Sequence, residues 1–111
     1  MTSVISRVPD GQTIWGNKKV AFFDLELSGT YASLTINASD VGLKFLDGVS
    51  VAGGDASLGT YFPVLTLGTY PSGAGLGLTT SVVLTFVTAS GTAASGTLSP
   101  AINIRLMFVG G

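Results

Sequence analysis

Apolar and polar residues alternate with a period of two along most of this chain. In Lys19–Ser28, Ala21, Phe23, Leu25 and Leu27 fall on one side and Val20, Phe22, Asp24 and Glu26 on the other. Across Thr79–Ser90, Val82, Leu84 and Phe86 oppose Val83, Thr85 and Val87. Further on, Ile102, Ile104, Leu106 and Phe108 oppose Asn103, Arg105, Met107 and Val109. Such alternation places successive side chains on opposite faces of a strand. Thr2–Val8, Phe45–Ala52 and Thr60–Leu67 are also rich in β-branched and aromatic residues, so the pattern predicts at least six strands. Pro63 has no amide hydrogen to give to a ladder, which puts its strand at a sheet edge or at a bulge.

Between these runs lie Asp10–Gln12, Gly53–Gly59, Thr69–Leu78 and Ser90–Pro100, loops rich in Gly, Ser and Thr. The one stretch with helix grammar is Asn37–Leu43, where Asn37 or Ser39 can cap a single turn that Gly42 ends. Short strands, frequent turn signals and no helical amphipathicity predict an all-β, antiparallel β-sandwich. The long connections suit a jelly-roll-like version, whose Greek keys need crossovers. The domain division expected is an extended N-terminal arm over residues 1–16 and a sandwich over 17–111. The arm either joins that single domain or docks on a neighbour.

Composition sharpens the picture. Only 10% of the residues are charged, 46% are hydrophobic, and the chain has no His and no Cys. Soluble domains spend about a quarter of their residues on charge. A net charge of −1 with scattered basic residues gives no footprint for nucleic acid or for a membrane surface. No apolar run is long enough for a transmembrane helix, and Met1–Gly11 lacks the apolar core of a secretory signal, so a cytoplasmically made, soluble protein is expected.

Chemistry is sparse. Triads need an imidazole base, and zinc centres need His or Cys, so no catalytic residue, metal ligand or cofactor is expected. Asp24 and Glu26 read as solvated carboxylates facing Lys18 or Lys19. Asp10, Asp47 and Asp55 read as turn residues, because no loop carries the alternating acids of a calcium site. Gly73–Gly77 lacks the spacing and the helix of a phosphate loop. Asn37-Ala38-Ser39 matches a glycosylation pattern by chance. Trp15, Tyr31, Tyr61 and Tyr70 lie near strand ends, where aromatics plug a sandwich or anchor an interface more often than they stack on sugars.

The outward rows are the informative feature. Val20, Phe22, Val83, Val87, Met107 and Val109 are apolar at positions that a lone sandwich would give to water, and large exposed apolar areas mark contact sites. Symmetric self-association would cover them.

The run Trp15-Gly16-Asn17-Lys18-Lys19-Val20 is followed by Asp24-Leu25-Glu26-Leu27, Tyr31 and Ala38-Ser39-Asp40-Val41-Gly42-Leu43. With the ending Asn103-Ile104-Arg105-Leu106-Met107-Phe108-Val109-Gly110, it resembles a family of small tailed-phage virion structural proteins. The resemblance implies a capsid decoration (cement) protein, a homotrimer on the outside of the head whose partner is the major capsid protein. It would be made in the host cytoplasm and reside in the virion. Val4, Ile5, Arg7 and Trp15 on the arm join the six outward residues as interaction candidates. The alternatives are a head–tail connector or tail/baseplate subunit, and a carbohydrate-binding β-sandwich module.

Overall fold

A computed structural model describes residues 2–16, 18–67 and 79–111. Its strands are β1 (Thr2–Trp15), β2 (Lys18–Ser28), β3 (Leu34–Asn37), β4 (Leu46–Gly54), β5 (Tyr61–Leu67), β6 (Ser81–Thr88) and β7 (Ile102–Gly110). They form two antiparallel sheets, a four-stranded one ordered β1-β2-β7-β4 and a three-stranded one ordered β3-β6-β5. Among the described residues the only helical pieces are two single 3₁₀ turns, Ala38–Val41 and Ala56–Gly59.

The alternation read from the sequence decides which residues meet between the sheets. Ala21, Phe23, Leu25 and Leu27 of β2 and Ile102, Ile104, Leu106 and Phe108 of β7 point inward from the larger sheet. Ile36 of β3 and Val82, Leu84 and Phe86 of β6 meet them from the smaller one, in a single buried cluster. The Phe23 and Phe108 rings pack edge to face, with centroids 5.9 Å apart. The loop after β6 closes one end of this core. Ala94 and Leu98 are buried there, and their amides donate to the carbonyls of Phe86 and Gly29.

The turn expected at Asn37–Leu43 is present. Asn37 precedes it with its amide donating to the Asp40 carboxylate at 2.9 Å, and Gly42 ends it at φ 77°, where a side chain would be strained. Pro63 lies on β5, which ends its sheet. Three stretches differ from expectation, the first being the expected loop Gly53–Gly59, where Gly53 and Gly54 end β4 and Ala56–Gly59 forms a 3₁₀ turn. Asp10–Gln12 is not a loop but part of β1, whose pairing to β2 shifts register between Arg7 and Gln12 and so absorbs Pro9 in a bulge. β3, only four residues long, was not foreseen, because so short a run carries no readable period.

The segment expected to act as an arm is β1. It pairs with β2 from Thr2 opposite Ser28 to Trp15 opposite Lys18, the hairpin turning through Gly16 at φ 66°. Among its described side chains Ile5 packs against the buried cluster, while Val4 and Ile14 are 51% and 71% exposed.

Candidate functional site: two unlike outer faces

The outer face of the four-stranded sheet is divided along its length. Toward one end, register sets Val20 beside Val109 and Phe22 beside Met107. This apolar row is partly sealed by the chain itself. Val20 is buried at 4% exposure, contrary to the open position expected for it, and Phe22, Met107 and Val109 are half-buried. The β1 bulge supplies part of that cover, since a Cβ at Gly11 would stand 3.3 Å from that of Phe22.

Toward the other end the face is polar. Arg105 binds Asp24 through both guanidinium contacts, Nε to Oδ1 at 2.7 Å and Nη2 to Oδ2 at 3.0 Å. Asp24 therefore faces an arginine on β7 and not the lysines expected for it. Lys18 instead reaches Asp47 at 2.9 Å and sits over the Phe45 ring. A groove of about 570 Å³ crosses this region, lined by Val4, Asp24, Glu26, Asp55, Asn103 and Arg105 among others.

Four of the groove's polar side chains pair with one another, Asp24 with Arg105 and Asp55 with Asn103. Asp55 accepts from the Ser57 hydroxyl, from the Ser57 amide at 2.9 Å and from Asn103 Nδ2 at 2.8 Å, which fixes the Ala56–Gly59 turn against β7. These bonds, the Ser57 hydroxyl first, hold the Asp55 carboxyl below its ordinary range. Hydrogen bonds from Arg105 do the same for Asp24, outweighing the opposing effect of burial, and the arginine's charge adds to them. A general acid at neutral pH needs the opposite shift. No three His, Cys, Asp or Glu side chains gather at metal-binding distance among the described residues.

Both carboxylates have a lower pKa folded than unfolded, so their stabilisation is complete above the unfolded value and fades as pH falls through the folded one. Denaturant midpoints are expected to hold steady down to about pH 5 and to drop below about pH 4. Asp24→Asn should flatten part of that drop and cost under about 1 kcal/mol at pH 7, because the pair is half-exposed. An unchanged acid limb in Asp24→Asn would refute the assignment.

The outer face of the three-stranded sheet is different in kind. Register aligns Phe62 with Val87, Val64 with Thr85, and Thr66 with Val83, with Thr35 of β3 on the far side of Val83. Phe62 and Val64 are 43% and 42% exposed, and Val83 and Val87 are half-buried. Residues 56–104, which include β5 and β6, contain no Asp, Glu, Lys or Arg at all.

The candidates from sequence thus divide between two faces. Val83 and Val87 lie on the charge-free face. Val20, Phe22, Met107 and Val109 form the partly sealed row on the other sheet, and Val4, Ile5, Arg7 and Trp15 lie along β1, with Val4 opposite Glu26 and Arg7 opposite Phe23. Phe62 and Val64 were missed. The signal was available, because Tyr61, Pro63, Leu65 and Leu67 share one parity and leave Phe62, Val64 and Thr66 on the other.

Two of the aromatic candidates for sugar stacking, Tyr31 and Tyr61, are otherwise engaged. Tyr61 is buried at 8% exposure, and its hydroxyl accepts from the Ser99 amide at 3.2 Å. The Tyr31 hydroxyl accepts from the Phe86 amide at 3.1 Å. Tyr70 and the Gly73–Gly77 loop lie outside the described residues.

No protein-family model, curated protein or solved structure matches the chain.

Proposed function

We propose that this chain is a structural, non-catalytic component of a tailed-phage particle: a capsid decoration protein that assembles as a homotrimer and binds the major capsid protein. The observation that carries this reading is the charge-free outer face of β3-β6-β5, with Phe62 and Val64 open to solvent. Exposed apolar surface of that kind is a contact surface or an aggregation hazard. The resemblance of residues 15–43 and 103–110 to small virion proteins supports the particular particle.

The finer fold reading is jelly-roll-like. β2 pairs with β7 and β3 with β6, so the chain runs out along one path and returns beside it. Successive strands change sheets from β2 to β5, the winding that full jelly rolls extend to eight strands.

The strand edges favour one attachment point. β3 is short, β4 carries two register shifts and β5 carries Pro63, all devices that discourage strand addition. In contrast, Thr2–Arg7 of β1 pairs regularly with β2 and carries neither a bulge nor a proline. Its outer edge suits a strand of the shell, docked by backbone hydrogen bonds.

Deleting residues 1–8 tests this attachment. The truncated protein should fold, losing about 2 kcal/mol with the half-buried Ile5, and should no longer sediment with expanded heads. Truncated protein that still coats heads refutes the edge, and full-length protein that coats none refutes the function. A small ring of copies at one vertex, in place of a coated shell, would mean a connector.

A further inference from the structure

Resting on the reading of a multi-copy structural protein, we infer that copies of this chain contact one another through the outer face of β3-β6-β5, centred on Phe62, Val64 and Val87. Copies related by a two-fold axis bring the surface on that axis against its own image, so this contact is a two-fold one between neighbouring copies, separate from the packing around a three-fold. A charge placed there meets a like charge, and like-charge juxtaposition costs several kcal/mol (about 2 or more). A face without charge is the composition that fits itself. That condition is met on this sheet and not on the other, whose outer face carries Asp24, Glu26 and Arg105. A foreign partner imposes no such restriction, since opposite charges can be matched across two different surfaces.

Size sets the strength of the contact. Strands of 4, 7 and 8 residues, about 4.8 Å apart with a rise of about 3.4 Å per residue, project a face of roughly 310 Å². A standard stable interface covers about 800 Å² on each partner. The contact is therefore weak in dilute solution and becomes populated at high local concentration, the condition that a shared shell provides.

The test is mass by sedimentation equilibrium from about 10 µM to about 1 mM, a range suited to contacts of this size. Wild-type protein is expected to rise above the monomer mass across that range. Val64→Lys and Phe62→Glu should remain monomeric at every concentration, and Ser50→Lys, exposed on the opposite sheet, should associate like wild type. Circular dichroism melts confirm that each variant is folded. A wild type that stays monomeric, or a folded Val64→Lys that associates undiminished, overturns the inference. Wild-type protein that stays monomeric and yet coats phage heads would sink this contact alone, leaving the structural function standing.

Discussion

Phe108→Ala is expected to lower stability by about 3–5 kcal/mol. Phe108 is fully buried on β7, which lies between β2 and β4 in the middle of the larger sheet. Its ring meets Phe23 edge to face, so truncation removes apolar burial, leaves a cavity and also breaks an aromatic pair. Domains of this size are stable by about 5–15 kcal/mol, so the variant loses a large share of its margin. Guanidinium unfolding should show a lower midpoint with an unchanged slope, since the surface exposed on unfolding stays nearly the same. Leu65→Ala is the comparison. Leu65 packs against the same cluster from the edge strand β5 and is only partly buried, so its truncation should cost much less. Similar losses at the two positions would mean that the core is not centred on β7.

The central strands were legible because burial on one face imposes a strict period. In β2, β6 and β7 a single residue slip would turn every apolar side chain to water, so the sequence shows the alternation cleanly. At the margins the constraint relaxes. Among its described side chains β1 packs only Ile5 against the core, and its backbone pairing carries it across Pro9 and Gly11. β3 is a strand because β6 offers it a ladder, a long-range cause that four residues cannot display.

The outward rows were read correctly as apolar and incompletely as surfaces. Alternation says which side of a sheet a residue lies on and says nothing about what else covers that side. Val20 is covered because β1 and β7 flank it with Thr13 and Val109, while Phe22 lies under the β1 bulge. Phe62 and Val64 stay open because β5 is an edge with no strand beyond it among the described residues. Edge position is a property of topology. It separates two rows of similar hydrophobicity into one partly sealed by its own chain and one whose edge residues Phe62 and Val64 stay exposed.

A second large effect is expected from one methyl group. Gly110, the last residue of β7, pairs with Lys19 on one side and Leu46 on the other, and it is buried. Its backbone angles are ordinary, so glycine is required there for space and not for conformational freedom. A Cβ at this position would run into the carbonyl oxygen of Phe45 and stand 3.2 Å from the Leu46 Cα. Those are backbone atoms, and no side-chain rotation can relieve the clash. The same backbone is pinned by the Lys44 amide, which donates to the Gly111 carbonyl at 2.6 Å. Gly110→Ala must therefore push the start of β4 away from β7, at a cost of about 1–3 kcal/mol or more. The damage should be local, with amide exchange accelerating at Lys44 and Leu46 before it changes in β6. Gly48, across the β4–β7 ladder from Val109, is the control: a Cβ there meets nothing within 4 Å, so Gly48→Ala should be neutral or slightly stabilising. Equal stability of the two alanine variants would show that the β4–β7 junction is looser than this packing requires.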